Sequence, residues 1–239
     1  MSKSKVEDTI SICFKAVRKY KTGSQLVQCF QYLTSIRLKY KFAKKRLTIL
    51  KRKKAYYMRS RVEEYTKDSL KTTWPDNYAV LMEFDHCVTS LRSSLEHFFQ
   101  LTNVLISLGL APLRKFGEPE VSISAVISAM DKNELCNTNV TLRQLRLNIG
   151  VLKNQPWYEH LHNLRIELYH NQFTHPDLVE HRSKDRELLD ISWWIPNIER
   201  TINDTGITHV DIIDYCEKRI ANVEGVLNTN LVLLNRFLE

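Results

Sequence analysis

The sequence has few residues that interrupt helices and no apolar run of membrane-spanning length. Only 6 Gly and 6 Pro occur in 239 residues, while 43% of the residues are hydrophobic and 10% are aromatic. This composition excludes collagen-like, low-complexity and disordered proteins, and favours an ordered, mostly helical one. The most apolar stretch, residues 98–113, is shorter than the roughly 20 residues of a spanning helix and contains Gln100 and Asn103. We therefore expect no membrane partner.

The sequence also lacks the marks of secretion, of a metal site and of a nucleotide cofactor. Glu7 and Asp8 interrupt the N-terminal apolar run, unlike the uncharged core of a signal peptide, so we expect a cytoplasmic protein. The 5 cysteines are odd in number, and none lies in a Cys-x-x-Cys or Cys/His pattern at zinc spacing. No glycine-rich nucleotide loop is present. Reduced cysteines, no metal and no cofactor are expected.

Positive charge is concentrated in the first third of the chain. Residues 1–80 contain 20 Lys and Arg against 6 Asp and Glu, whereas the remainder contains 15 against 21. The densest part, residues 37–61, holds no acid. Four aromatic residues are interleaved with its basic residues: Tyr40, Phe42, Tyr56 and Tyr57. Such a segment favours the binding of nucleic-acid phosphates. The central candidates for this nucleic-acid binding are Lys44, Lys45, Arg46, Lys51, Arg52, Lys53 and Lys54.

Other interpretations of the basic segment remain open. Runs of charge are often solvated helix faces, or they contact an acidic part of the same chain or an acidic partner. The helical spacing of Phe42, Leu47 and Leu50 is typical of packing residues rather than of a surface that stacks on bases.

Apolar residues recur with helical spacing through most of the chain. This periodicity predicts long helices over residues 24–70, 77–110 and 210–238, the first as one helix or as two stacked pieces, and shorter ones over 123–131, 142–152 and 156–172. Asn154 is the expected cap of the helix that starts at Pro156. Residues 173–208 break the helical pattern, and their apolar run at residues 188–195 is typical of a strand, as in a hairpin.

The predicted fold class is all-α: an up-and-down helical bundle with a basic helical N-terminal extension and a short irregular or β-hairpin insertion. A boundary is expected near Pro75, which disfavours helix before it. Residues 1–73 are then the basic helical N-terminal region, and residues 74–239 are the bundle, with the insertion at about residues 173–208.

One predicted helix carries an arginine and a histidine suited to cleaving RNA without a metal. Arg165 and His170 are five positions apart and flank the apolar stripe of residues 156–170. Attack by the RNA's own 2′-hydroxyl needs a group that titrates near neutrality and a fixed cation for the developing phosphorane charge. Histidine supplies the first and arginine the second. The alternatives are an ordinary helix-end histidine and an arginine in a surface ion pair.

The sequence resembles the HEPN superfamily, whose hallmark is an Arg, four to six residues and then a His on one helix of an all-helical bundle. The match is Arg165-Ile-Glu-Leu-Tyr-His170, preceded by Pro-Trp and by a Leu-x-x-Leu-Arg segment. An upstream helix over residues 91–100 is also similar to members, and the resemblance covers about residues 77–238. It implies a metal-independent endoribonuclease that acts as a homodimer. Members often belong to toxin–antitoxin or antiviral defence systems, which implies a cognate inhibitor or a defence-complex partner.

The resemblance implies that Arg165 and His170 are catalytic. The supporting residues are Asn163, Glu167, Tyr169, Arg92 and His97, the last two forming a second Arg/His pair at the same spacing. Arg165 is followed by Ile166, where the family favours a polar residue. This departure favours an alternative function, a non-catalytic helical module that binds nucleic acid or an acidic protein partner within a larger complex.

Overall fold

The computed structural model describes residues 5–66, 77–110, 121–169, 177–184, 187–196 and 209–239, which form eight helices and three strands. The helices are α1 (Lys5–Tyr20), α2 (Gly23–Thr66), α3 (Asn77–Ile106), α4 (Ile123–Lys132), α5 (Glu134–Thr138), α6 (Val140–Lys153), α7 (Pro156–Tyr169) and α8 (Ile212–Leu238). The strands are β1 (Asp177–Arg182), β2 (Leu188–Pro196) and β3 (His209–Asp211). The predicted class, an all-α bundle with a short hairpin, is confirmed. No described helix is both long and apolar enough to cross a membrane.

The observed helices follow the apolar periodicity closely. Residues 24–66 form one continuous helix, because neither Gly nor Pro interrupts them. The short helix α5 has too few residues to show a period, and the side chain of Asn133 caps it by accepting a hydrogen bond from the Cys136 N–H. Asn154 does not cap α7. Its N–H instead donates to the Val151 and Leu152 carbonyls, so Asn154 ends α6.

The three strands form an antiparallel sheet in the order β1-β2-β3. In the predicted hairpin, Asp177 of β1 lies opposite Trp194 of β2, and the register shifts near Arg182. The third strand, which the sequence pattern does not reveal, pairs Asp211 with Trp194. The Asp211 carboxylate accepts hydrogen bonds from the Trp193 and Ile213 N–H groups, at 3.1 and 2.8 Å, so it joins the sheet to the first turn of α8.

The chain divides into two compact units. The first unit contains Met1–Lys41, Ser90–Glu159 and Ala221–Glu239. Its core side chains come from α1, α2, α3, α6 and α8; the fully buried ones include Ile10, Leu33, Leu95, Leu145 and Leu231. The Tyr40 hydroxyl donates to the Glu224 carboxylate at 2.6 Å and so links α2 with α8 within this unit.

The second unit contains Phe42–Thr89 and His160–Ile220. Its core includes the fully buried side chains Leu50, Phe84, Leu164, Trp193 and Ile195. The rings of Phe84 and Tyr215 meet edge to face with centroids 5.8 Å apart, which packs α3 against α8 within the unit. The expected boundary between an N-terminal region and a bundle, near residues 73–76, lies outside the described residues.

Candidate nucleic-acid interface

The part of α2 that belongs to the second unit has one buried and one exposed side. Ala43, Leu50 and Tyr57, seven residues apart, are at most 5% exposed and anchor the helix in the core. Seven residues turn an α-helix through about 700°, only some 20° short of two full turns, so residues at this spacing form a row along the helix. The exposed positions between these buried residues are Lys44, Lys45, Thr48, Lys51, Arg52, Ala55 and Tyr56.

Two further rows with the same spacing occupy the exposed side. Lys45, Arg52 and Arg59 form a cation row, and all three are exposed. Phe42, Ile49 and Tyr56 form an apolar row, in which Phe42 is 45% and Tyr56 72% exposed while Ile49 is half-buried. The rows are adjacent, because each cation lies four residues before a member of the apolar row or three after one. We call these six residues the outer strip of α2.

Three of the seven predicted phosphate-binding residues form ion pairs with acids of the same unit. Arg46 Nη1 lies 3.0 Å from Glu83 Oε2 on α3. Lys54 Nζ lies 2.8 Å from Asp190 Oδ2 on β2, and Lys51 pairs with Glu217 on α8. These three residues therefore follow the other interpretation of the basic segment, in which its cations contact acidic residues of the same chain.

The Lys54–Asp190 pair also affects the titration of the carboxyl group. Burial alone would raise the pKa of Asp190. The hydrogen bonds from Lys54 and from the Ile191 N–H, together with the charges of Lys54 and His181, outweigh burial and hold this pKa below its ordinary value. Asp190 is therefore a carboxylate at neutral pH, and its charge offsets that of Lys54.

The other predicted phosphate-binding residues are placed differently. Lys45 and Arg52 are exposed and Lys53 is half-buried, and none of them forms an ion pair within the described ranges of the chain. Lys44 is also exposed. Arg59 was not among the predicted residues, although its seven-residue distance from Arg52 is the signal that could have found it. Its Nε donates to the Ala55 carbonyl at 3.3 Å.

The aromatic residues of the basic segment divide between core and surface. Tyr40 and Tyr57 are 1% and 5% exposed and belong to the core. Leu50 is buried, as the helical spacing predicts, but the packing prediction is wrong for Phe42. Phe42 directly precedes the buried Ala43, and consecutive residues point about 100° apart around a helix, so its ring faces solvent.

The Arg92/His97 pair lies on α3 within the first unit. Arg92 is 7% exposed, donates from Nη1 to the Tyr158 hydroxyl at 2.6 Å, and holds its guanidinium carbon 4.9 Å from the centroid of the same ring. Its Nε lies 3.5 Å from the Glu96 carboxylate. His97 Nδ1 is 2.6 Å from the Ser93 carbonyl oxygen. Because these contacts engage the guanidinium within the protein, they favour a stabilising role for Arg92.

The Arg165/His170 pair falls largely outside the described part of the structure. α7 is helical as far as Tyr169, so Arg165, Glu167 and Tyr169 lie in its last five residues, but their side chains are not described. His170 lies outside the described residues, and Asn163 is half-buried on α7. The catalytic assignment of Arg165 and His170 stays a prediction.

Within the described residues, no group of three or more His, Cys, Asp or Glu side chains could hold a metal ion.

Comparisons of the chain with known proteins add no family to this geometry. No protein-family model, no curated protein and no solved structure matches the chain.

Proposed function

We propose that the protein binds single-stranded RNA through the outer strip of α2. The observation that carries this proposal is the pair of adjacent rows, one cationic and one apolar, on an exposed helix side whose opposite side is anchored in the core. Cations attract phosphates without regard to sequence, and exposed rings stack on bases of any kind. Together they match the two chemically distinct parts of a single strand.

The dimensions of the outer strip suit several contacts with one strand. Lys45 and Arg59 are fourteen residues apart, which corresponds to about 21 Å along the helix. A stacked strand with one charge per about 3.4 Å places about six phosphates over that length. Three cations can therefore each meet a phosphate, and the exposed rings of Phe42 and Tyr56 in the adjacent row remain available for bases.

The apolar row favours RNA over a partner that is recognised by charge alone. An acidic surface would neutralise Lys45, Arg52 and Arg59 but has no need of an exposed ring such as Tyr56, which is 72% exposed. Stacking of bases on aromatic side chains contributes about 1–3 kcal/mol per base. A Phe42→Ala/Tyr56→Ala variant, which removes two rings, should therefore lose about 2 kcal/mol or more and bind RNA roughly 30-fold more weakly, with an unchanged salt dependence.

The experiment measures binding by fluorescence anisotropy. One ligand is a labelled oligouridine, and the alternative ligand is a labelled acidic peptide. Ala55→Ser, a change at an exposed position on the same helix that removes no ring or charge, is the matched control. Tight binding of the peptide by the wild type, with RNA affinity equal in the control and ring variants, would assign the outer strip to a protein partner.

A second candidate function is metal-independent RNA cleavage by the same chain. It is favoured by the continuation of α7 to Tyr169, which puts Arg165 in the last five residues of the helix, five positions before His170. In this proposal His170 transfers the proton of the 2′-hydroxyl and Arg165 stabilises the phosphorane charge. Consistent with the HEPN resemblance, the enzyme would act as a homodimer and be restrained by a cognate inhibitor or a defence-complex partner.

The test of cleavage is incubation of the purified chain with total RNA in EDTA, beside a His170→Ala variant. The proposal predicts cleavage that survives EDTA, products with 2′,3′-cyclic phosphate or 3′-phosphate ends, and no cleavage by the variant. Activity that requires magnesium or leaves 5′-phosphates would contradict it.

A further inference from the structure

A groove of about 450 Å³ lies in the first unit, lined by the end of α6, the start of α7 and the middle of α8. This volume is within the range of sites for small molecules. The polar and aromatic side chains that line it are Asn148, Gln155, Trp157, Asn222, Thr229 and Asn230. All residues of the described chain that line the groove are uncharged, so the groove offers no counter-ion for a phosphate or a carboxylate.

The wall formed by α8 is open at Gly225. Glycine in the interior of a helix is less stable than alanine, so a structural or functional role would explain a glycine at this position. A Cβ at this position would meet no atom within 4 Å, so close packing of the folded chain does not require glycine. Its effect is to leave space in the groove beside Trp157 and Asn222.

One amide at the groove has unused hydrogen-bonding capacity. Asn230 is 2% exposed, and its Nδ2 donates to the Val226 carbonyl at 2.8 Å. Its Oδ1 has no hydrogen-bond partner among the described residues. A buried acceptor without a donor is unfavourable, so the Asn230 amide would gain a hydrogen bond by turning Oδ1 toward an N–H group bound in the groove.

We propose that this groove binds an uncharged nucleobase, which stacks on Trp157 and forms hydrogen bonds with the amides of Asn148, Gln155, Asn222 and Asn230. A base is planar, neutral, and carries donors and acceptors side by side on one edge. Amide side chains, which offer both a donor and an acceptor, pair with such an edge, and tryptophan stacks on its face. The inference rests on the proposed function in taking RNA as the source of the base, the other source being a free nucleoside.

The experiment uses ligands that carry a base but no phosphate. Adenosine, cytidine and uridine are titrated into the full chain and binding is followed by saturation-transfer NMR, with ribose 5-phosphate as the probe that lacks a base. We expect saturable transfer to the base protons of at least one nucleoside. Any transfer to ribose 5-phosphate should be the same in the wild type and in the groove variants. Trp157→Ala should weaken nucleoside binding about fivefold or more, and Trp157→Phe should restore part of it.

Two further variants separate binding from folding. Asn230→Leu should abolish binding while leaving the melting temperature unchanged or higher, because it removes an unsatisfied buried acceptor. Leu147→Ala, at a 53% exposed position of α6 outside the groove lining, is the control and should bind like the wild type. Should Asn230→Leu fail to fold, Asn222→Ala takes its place.

Each outcome decides between the groove and the outer strip. Absence of saturable nucleoside binding, or equal binding by the wild type and Trp157→Ala, would overturn the groove proposal even if oligouridine still binds through α2. Loss of nucleoside binding in the groove variants would support the groove. If the RNA affinity of the same chain does not depend on Lys45, Arg52 and Arg59, the outer strip is contradicted. Binding to both, with a preference among homopolymers that Trp157→Ala removes, would support RNA as the source of the base.

Discussion

Replacing the cation row Lys45/Arg52/Arg59 by glutamine should remove much of the salt dependence of RNA binding. Each phosphate contact to a single strand contributes about −0.7 to the slope of log affinity against log salt concentration. Three contacts therefore contribute about −2.1, which corresponds to a roughly 20-fold loss of affinity between 50 and 200 mM salt. The variant should show a slope flatter by up to about 2, and weaker binding to all RNA sequences alike.

The matched control is the triple variant Arg46→Gln/Lys51→Gln/Lys54→Gln, which removes the same formal charge from the same helix. These three side chains already contact Glu83, Glu217 and Asp190. Their loss should leave the salt slope near that of the wild type, while the free energy of unfolding falls by about 0.2–1 kcal/mol per pair. The assay is anisotropy titration of a labelled oligouridine at four salt concentrations, with urea unfolding of each variant.

Two results would refute this reasoning. Equal flattening of the slope in both triple variants would mean that net charge, and not the outer strip, attracts the RNA. A cation-row variant that binds with the affinity and salt slope of the wild type would mean that the exposed side of α2 faces solvent or a protein partner.

Three further predictions concern cleavage, thiol reactivity and acid stability. In the total-RNA assay His170→Ala should abolish cleavage with the fold retained, whereas His97→Ala should reduce cleavage only by lowering stability. Loss of cleavage in His97→Ala alone, at an unchanged melting temperature, would place the catalytic site on α3. Burial raises the pKa of the Cys13 thiol to about 12, so at pH 8 about one molecule in ten thousand carries this thiolate, and a disulfide-exchange reagent should label it only after denaturation. Because the folded state holds the pKa of Asp190 below its ordinary value of 3.8, the contribution of this carboxylate to stability, less than about 1 kcal/mol at a half-exposed site, should be full well above pH 3.8 and should decline as the pH falls toward the lower folded-state pKa. Urea unfolding of the wild type and Asp190→Asn at pH 7 and pH 3 measures that difference, and an equal difference at both pH values would contradict it.

Local patterns were sufficient to predict most of the fold. Helix bounds follow from apolar periodicity and from the positions of Gly and Pro, which act over one or two turns. The hairpin was visible in the run Leu188–Ile195, whereas β3 has only three residues, His209–Asp211, too few to show an alternation. The same limit explains why α5 was missed.

The division of the basic segment could not be predicted, because it depends on residues distant in sequence. Arg46 and Glu83 are 37 positions apart, and Lys54 and Asp190 are 136 apart. Which lysines are neutralised is therefore decided by tertiary packing and not by the segment itself. Arg92 is a similar case, since its hydrogen-bond partner Tyr158 is 66 positions away.

The groove could not be predicted either, because its lining residues are distant in sequence. Trp157 lies on α7 and Asn222 on α8, and only packing within the first unit brings them to one cavity. The single local signal was Gly225, a glycine within an otherwise regular apolar pattern on α8.

Whether RNA binds along the outer strip of α2 can be measured by mapping where RNA crosslinks to the chain. A 4-thiouridine oligonucleotide is irradiated on the full chain, which is then digested with trypsin and analysed by mass spectrometry. We expect a crosslinked peptide at residues 55–59, which carries the exposed Tyr56, with a yield that falls as salt rises. In the Lys45/Arg52/Arg59 variant trypsin no longer cleaves after residue 59, and the corresponding peptide, residues 55–61, should crosslink with a lower yield. Crosslinks confined to peptides outside α2, with the same yield in that variant, would contradict it.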